Sequence, residues 1–240
     1  MFYIQEFVGN HPAIIIQGDE QNLGKTTLAR CIAILLQKKE AQLLAWTNDE
    51  ELQKKMSAIL MDNDVAIIDN VKAGRDTTII SSQALEGFVT APELTFRALG
   101  ENRVFSRPNN ALFIFTLNKG SFSDDLVVRS VNLSLSYKNK KVMNEDFDPV
   151  AFVFKNRGKI LGEIANMVSR SFLVNESVQL NSGNFKFKSW AKKVQCVLRA
   201  NGFDGFLSNQ VQLSKRVNPL HCQATIRNRH RRQLQFRMIL

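Results

Sequence analysis

The chain has 240 residues, of which 44% are hydrophobic and 22% charged. This composition is typical of a folded globular protein, and the length predicts one large domain, or one domain with a small appendage. No apolar run is long enough for a transmembrane helix, and the first residues lack the basic-then-apolar order of a signal peptide. We therefore expect a cytoplasmic protein with no membrane partner. Three widely spaced cysteines and three scattered histidines show no metal-binding spacing.

The charge is unevenly distributed along the chain. Residues 185–240 contain twelve lysines and arginines and one acid, whereas the whole chain has a formal net charge of +10. The preceding residues are therefore close to neutral overall. Such an asymmetry indicates a polyanionic partner, usually nucleic acid. The alternative is a basic terminus that is simply solvated.

The first predicted element, residues 13–28, has the sequence AIIIQGDEQNLGKTTL. An apolar strand leads into a turn bounded by glycines, and a helical pattern follows, which is the order of a phosphate-binding P-loop. In such a loop Lys25 reaches the β and γ oxygens and the Thr26 hydroxyl binds Mg²⁺. The turn holds five residues between its glycines where the motif has four, so the alternative is a chance Gly-Lys-Thr at a helix start. The residues assigned to nucleotide binding are Gly18, Gly24, Lys25, Thr26 and Thr27.

Strands and helices then alternate along the chain. The patterns predict helices over 25–37, 48–60, 81–90 and 123–129, strands over 41–47, 65–69, 111–117 and 131–137, and a hairpin over 94–107. Asn48 is the expected cap of the second helix, and Ser81 or Ser82 that of the third. Later helices are expected over 148–173 and 185–201, with a linker at 175–184.

This alternation predicts an α/β fold with a mostly parallel five-stranded sheet flanked by helices and a small, helical, basic C-terminal region. The expected division is an ATPase core over residues 1–140, a lid-like helical segment over 141–174 and the basic region over 175–240.

Polar residues at two strand ends complete the candidate site. Asp69 follows four apolar residues, at the position from which a carboxylate of a parallel-sheet P-loop protein orients Mg²⁺. Asn70 comes next, where many ATPases have a glutamate base; an amide cannot accept a proton but can orient water. Asn118, at the end of another strand, is placed to sense the γ-phosphate. Arg129 is placed to reach a nucleotide on a neighbouring subunit as an arginine finger; the alternative is a cation that satisfies helix carbonyls.

Several segments in order resemble the ATPase modules of phage, plasmid and integrative-element primase-helicases, which are related to superfamily 3 helicases and AAA+ ATPases. The segments are VAIIDNVK, SSQALEGFVTAPELTFRALG, NNALFIFTLN and SDDLVVRSVNLSL, and the resemblance covers about residues 10–210. The matched elements are Asp69-Asn70, Leu85-Glu86 with Thr90, Arg97 to Gly100, Thr116 to Asn118, and Asp125 to Arg129. Because the Asp-Asn pair recurs in that family, Asn70 is compatible with activity. The family's loop pattern also implies one inserted residue near Asp19, with Asn22 and Leu23 replacing small residues.

The resemblance implies that the hairpin points into the pore of a ring and tracks a DNA backbone. Arg97, Arg103 and Arg107 would contact phosphates. Phe96 and Phe105 are available for stacking, although we expect each of them in the core.

The resulting functional hypothesis is an ATP- and Mg²⁺-dependent DNA helicase or translocase of a phage or mobile-element replication system. Its expected partners are single-stranded or forked DNA, further copies of the chain in a ring (a hexamer), and a primase or initiator domain. The alternatives are an ATP-dependent loader or switch that does not unwind DNA, and a non-hydrolysing DNA-binding scaffold with a degenerate loop.

Overall fold

The computed structural model of the chain describes residues 11–18, 20, 22–72, 79–97, 104–118, 120–136, 147–173 and 183–208. Six helices lie in these ranges: α1 (Lys25–Gln37), α2 (Asp49–Leu60), α3 (Gln83–Thr90), α4 (Asp124–Val127), α5 (Pro149–Leu173) and α6 (Lys188–Ala200). The strands there are β1 (Ala13–Gly18), β2 (Leu43–Ala45), β3 (Val65–Val71), β4 (Ile79–Ile80), β5 (Glu93–Arg97), β6 (Val104–Pro108), β7 (Leu112–Leu117), β8 (Ser121–Phe122) and β9 (Ser130–Leu135). None of the described helices is both long and apolar enough to span a membrane.

The central sheet has five strands in the order β2-β3-β7-β1-β9, and every neighbouring pair is parallel. The predicted α/β fold with a five-stranded parallel sheet is therefore confirmed. Strand β7 lies between β1 and β3, with Ile114 opposite Ile14 on one side and opposite Ile67 on the other. This order brings the carboxyl ends of the three strands that lead to Gly18, Asp69 and Asn118 together at one edge.

The central strands β3 and β7 are buried on both faces, which is why they are continuous apolar runs rather than alternating ones. Neighbouring residues of a strand point to opposite faces. Accordingly, Ile67 packs with Ala29 and Ala33 of α1, whereas Ile68 packs in the cluster that includes residues of α2 and α3. Both isoleucines are fully buried. Helix α1 thus covers one face and helices α2 and α3 the other.

The predicted starts of α2 and α3 are confirmed by their caps. The Asn48 side chain accepts a hydrogen bond from the Glu51 amide at 2.9 Å, and the Ser82 hydroxyl accepts one from the Leu85 amide at 3.2 Å. Each cap satisfies one of the N–H groups that lack a partner inside the helix. Of the two serines proposed for α3, Ser82 is therefore the cap.

The hairpin predicted over 94–107 is confirmed, and β5 and β6 form an antiparallel pair in which Leu94 lies opposite Arg107. Its connecting residues, 98–103, lie outside the described part of the chain. A further short pair was not predicted. Strands β4 and β8 have two residues each and lie parallel, which is too short for a recognisable period.

The two later helices pack against the sheet domain. Val150 of α5 lies in a cluster with Cys31 and Ile34 of α1. The Arg157 guanidinium donates to the carbonyls of Ile34 and Leu35 at 3.0 Å each. The Ile34 carbonyl also accepts from the Lys38 amide, whereas the Leu35 carbonyl lies in the last turn of α1, where carbonyls lack a partner within the helix. Cys31 is a core residue, as its position on the apolar face of α1 predicted, and burial raises the pKa of its thiol.

Candidate functional site

A cavity of about 450 Å³ opens at the carboxyl edge of the sheet, beside the start of α1. Ligands of open parallel sheets bind in this place, outside the carboxyl ends of the strands. The cavity is therefore where the fold itself predicts a small-molecule site. It is lined by Asn22, Leu23, Gly24, Lys25, Thr26, Thr27, Asp69, Asn70, Thr116 and Asn118.

The turn before α1 requires unusual backbone conformations. Gly24 precedes the first helical residue with a φ of 76°, and Asn22 has a φ of 60°. Both are left-handed conformations, which glycine adopts freely and asparagine tolerates better than most residues. No described side chain caps α1, and its first turn has no acid. The first N–H groups of α1 and its positive dipole end are thus available to an anion.

The Leu23 side chain of the turn lies against Gly18. A Cβ atom added at Gly18 would collide with Leu23 Cδ1 and would lie 3.0 Å from the carbonyl oxygen of Leu135. A side chain at this position would require Leu23 to move and would crowd the Leu135 carbonyl. Gly18 shapes the turn without lining the cavity.

The Lys25 side chain lies within the cavity wall and is only 7% exposed. Its ammonium donates a hydrogen bond to the main-chain oxygen of Glu20 at 2.8 Å, across the turn. An ammonium group has three N–H donors. Lys25 can therefore keep its contact with the turn while it binds anionic oxygens in the cavity.

A hydroxyl and a carboxylate meet in the same cavity as this lysine. The Thr26 hydroxyl donates to Asp69 Oδ1 at 2.7 Å, although the residues are 43 positions apart in sequence. Hydroxyl and carboxylate oxygens are suitable ligands for Mg²⁺. The described residues include no cluster of three or more His, Cys, Asp or Glu that could enclose a metal ion. The pair fits Mg²⁺ nonetheless, because this ion is usually held by one or two protein groups together with phosphate oxygens and water.

The strand ends next to Asp69 form a second group of hydrogen bonds. Asn70 has a φ of 52°, and its main-chain amide donates a hydrogen bond to the Thr116 hydroxyl at 2.8 Å. The Asn118 side-chain amide donates to Asn70 Oδ1 at 3.0 Å. The Thr116 hydroxyl in turn donates to Asp69 Oδ1 at 2.7 Å. Sequence reasoning singled out Asp69, Asn70 and Asn118 but gave no role to the side chain of Thr116.

Arg129 lies outside the residues that line this cavity. Its guanidinium donates to the main-chain oxygen of Asp125 at 2.9 Å and pairs with the Asp125 carboxylate at 3.0 Å. These are the contacts of a cation near the end of a short helix, as the alternative interpretation of Arg129 anticipated. A role in a neighbouring subunit would require the guanidinium to leave Asp125, and it stays a prediction.

Of the three arginines assigned to DNA, the structure describes the side chain of only one. Arg107 pairs with Asp64 at 2.9 Å and donates to the Asn63 carbonyl at 2.9 Å, so it anchors the base of the hairpin to the start of β3. The side chains of Arg97 and Phe96 and the whole of Arg103 lie outside the described part. Phe105 is 46% exposed, so our expectation of a core position for it was wrong. It lies on a hairpin rather than between two layers.

Comparisons with known proteins give similar structures but no family. No family model matches the sequence, and no curated protein matches it. Among solved structures, the chain is similar to the apo C-terminal region of NrS-1, with 12% identity, a TM-score of 0.39 and coverage of 84% of this chain and 60% of that one. It is also similar to the JCV helicase, with 16% identity, a TM-score of 0.39 and coverage of 85% and 56%. The chain thus spans somewhat more than half of each of these structures. Its fold and its candidate site follow from the geometry of the chain itself.

Proposed function

We propose that this chain is the ATPase module of an ATP-dependent DNA helicase or translocase of a phage or mobile-element replication system, active as a homo-oligomeric ring such as a hexamer. The observation that carries the proposal is the meeting of Lys25, Thr26 and Asp69 around one cavity at the start of α1. A basic group, a hydroxyl and a carboxylate in this arrangement are suited to a nucleoside triphosphate with Mg²⁺. A primase or initiator domain would be a partner of such a module.

Each residue has a definable task in ATP binding. The turn amides and the Lys25 ammonium bind the β- and γ-phosphates. Thr26 and Asp69 would hold Mg²⁺: the Thr26 hydroxyl, which donates its hydrogen bond to Asp69, would offer an oxygen lone pair, and the Asp69 carboxylate would orient water around the ion. Bound Mg²⁺ neutralises charge that develops on the phosphate oxygens.

Hydrolysis in this site depends on positioning more than on a strong base. Among the described residues that line the cavity, Asp69 is the one carboxylate, and two hydroxyls already donate to it. Asn70 and Asn118 form a pair of amides beside it that can orient a water molecule. Because phosphoryl transfer has a loose transition state, orientation and charge stabilisation supply most of the catalysis.

The hairpin lies at the opposite edge of the sheet from the cavity. It joins the sheet next to the start of β7, where the Leu112 amide donates to the Asp64 carbonyl at 2.8 Å. Strands β3 and β7 run from this edge to Asp69 and Asn118, a span of roughly 20 Å for six residues. A change at the cavity could therefore reach the hairpin through two strands. On the hairpin, the exposed Phe105 ring is available for stacking with a nucleobase.

The basic face of α6 supports a nucleic-acid partner as well. Lys188, Lys192 and Arg199 are exposed, and the helical period places them along one side of α6. Only Arg199 has an acidic partner within the described residues, Asp204 at 3.5 Å. Such a row can neutralise successive phosphates.

One observation favours a related function with slower ATP hydrolysis, that of a DNA loader or switch. Asn70 stands where a glutamate base is common, and its side chain faces Asn118. A DNA loader or switch, which needs ATP binding and slow hydrolysis, would be served by this site. A non-hydrolysing scaffold is less well supported, because the contact between Thr26 and Asp69 is intact.

ATP hydrolysis measured with and without single-stranded DNA tests the proposal. We expect DNA to stimulate hydrolysis by the full chain, and Lys25→Ala to lower the rate at least about 100-fold, because phosphate charge loses its main cation. Lys39→Ala is the matched control, since the Lys39 ammonium also donates to a main-chain oxygen, that of Asp62, but lies outside the cavity.

A rate that is the same in Lys25→Ala and the unaltered chain would contradict the assignment of the cavity. Strand displacement on a forked duplex then separates the two DNA-dependent functions. A helicase displaces the strand, whereas a loader or switch hydrolyses ATP without displacement.

A further inference from the structure

We propose that Thr116 is a positioning residue that sets the metal-orienting carboxylate and the pair of asparagines together. The inference rests on the proposed nucleotide site and assigns to that site a hydroxyl that neither binds phosphate nor touches metal. Thr116 is on β7 and is 2% exposed, with Asp69 and Asn70 of β3 beside it.

The pairing of β3 with β7 is irregular near Thr116. The strands pair regularly up to Ile68 opposite Phe115, and pairing resumes only at Val71 opposite Leu117. The interruption includes Asn70, whose positive φ turns its amide away from the regular ladder. The Thr116 hydroxyl accepts that amide at 2.8 Å and so supplies the partner that the ladder no longer provides.

The proton of the Thr116 hydroxyl points to the Asp69 carboxylate. Because Thr116 Oγ1 accepts a hydrogen bond from Asn70, its own proton is free to point elsewhere, and Asp69 Oδ1 lies 2.7 Å away. Thr26 also donates to Oδ1. Two hydroxyls therefore hold one oxygen of the carboxylate.

The second carboxylate oxygen of Asp69, Oδ2, is in a different situation. Within the described part of the chain, Asp69 Oδ2 has no hydrogen-bond partner. With Oδ1 held by Thr26 and Thr116, Oδ2 is the oxygen that remains for the water shell of a metal ion. The Thr116 hydroxyl thus determines which carboxylate oxygen serves the ion, as outer hydrogen bonds commonly do for metal ligands.

The same hydroxyl sets the asparagine pair. By holding the Asn70 amide it fixes the turned backbone, and in that conformation Asn70 Oδ1 accepts from the Asn118 side chain at 3.0 Å. A displacement of the Asp69 carboxylate on metal binding would therefore move Thr116 Oγ1, and through this atom it would shift both Asn70 and Asn118.

The test is the Mg²⁺ dependence of ATP binding by full-length variants. Thr116→Val keeps the shape of the side chain and removes the hydroxyl. We expect it to raise the Mg²⁺ concentration for half-maximal ATP binding about tenfold or more, with binding in EDTA unchanged. Thr116→Ser, which retains the hydroxyl, should restore the original requirement.

Two further variants separate positioning from packing. Ser130→Ala removes another fully buried hydroxyl, which donates to the Leu126 carbonyl at 2.7 Å on β9, and should leave the Mg²⁺ requirement unchanged. Thr116→Cys keeps a weak donor and should give an intermediate requirement, and it serves in place of Thr116→Val if the valine chain does not fold.

The possible failures are distinguishable. If the unaltered chain binds ATP with Mg²⁺ and the valine or cysteine variant has the same Mg²⁺ requirement, this inference is overturned and the proposed function stands. A loss that is equal in Mg²⁺ and in EDTA also overturns it, because Thr116 would then only shape the cavity. If the unaltered chain shows no Mg²⁺-dependent binding, both proposals fail.

Discussion

Arg129→Ala is expected to lower ATP hydrolysis by the assembled protein about 10³-fold, the scale at which arginine fingers act. ATP binding should change little, because Arg129 is absent from the residues that line the cavity of its own chain. Arg30→Ala is the matched control, since this arginine also pairs with an acid, Glu40, and lies outside the cavity. Steady-state rates and ATP affinities of both variants check the prediction.

A mixing experiment tests whether Arg129 acts on a neighbouring subunit. Chains with Lys25→Ala cannot bind phosphate productively but retain Arg129, whereas chains with Arg129→Ala retain the cavity. Mixed assemblies should regain activity, because some cavities then have Lys25 in one chain and Arg129 in the next. Full activity of Arg129→Ala alone would show that its pairing with Asp125 is its whole role.

Asp69→Asn is expected to lower ATP hydrolysis about 100-fold or more, equivalent to roughly 3 kcal/mol of transition-state stabilisation. The substitution keeps the size of the side chain and an oxygen for the Thr26 and Thr116 hydroxyls, and it removes the negative charge that orients the water of Mg²⁺. The Mg²⁺ concentration for half-maximal rate should rise in parallel, and rates measured over a Mg²⁺ titration provide the check.

The control for this charge removal is Asp49→Asn. The Asp49 carboxylate also accepts two hydrogen bonds, from the Ser82 hydroxyl at 2.7 Å and from the Ala84 amide at 3.3 Å, but it joins α2 to α3 outside the cavity. The Asp49→Asn substitution should lower the stability of the protein and leave the Mg²⁺ requirement of ATP hydrolysis unchanged. If Asp69→Asn behaves in the same way as Asp49→Asn, then Asp69 is a structural residue and the metal assignment is wrong.

Features that are local in sequence were predicted well. The apolar runs VAIID and ALFIF form buried parallel strands because their neighbouring residues must fill both faces of the sheet. Asn48 caps α2 through a residue only three positions away. The turn from Gly18 to Thr26 was recognisable for the same reason, since its glycines, lysine and threonine are close together in the chain.

Features that depend on distant pairing were not predictable from pattern. The role of Thr116 follows from the irregular register opposite Asn70, and no sequence motif encodes that register. Arg107 was assigned to DNA from its charge and its place on the hairpin; its ion pair with Asp64, 43 residues earlier in the chain, was not predicted. The packing of Leu23 against Gly18 likewise depends on how the turn folds back over the sheet.

Calorimetric titration of the full chain with ATP, in Mg²⁺ and in EDTA, tests the central claim most directly. The account predicts binding that is tighter in Mg²⁺ and that weakens at least about tenfold, or roughly 1.4 kcal/mol, in Lys25→Ala. Lys39→Ala should bind as the unaltered chain does. The absence of ATP binding, or binding that ignores both Mg²⁺ and the loss of Lys25, would contradict the assignment of this cavity to a magnesium nucleotide.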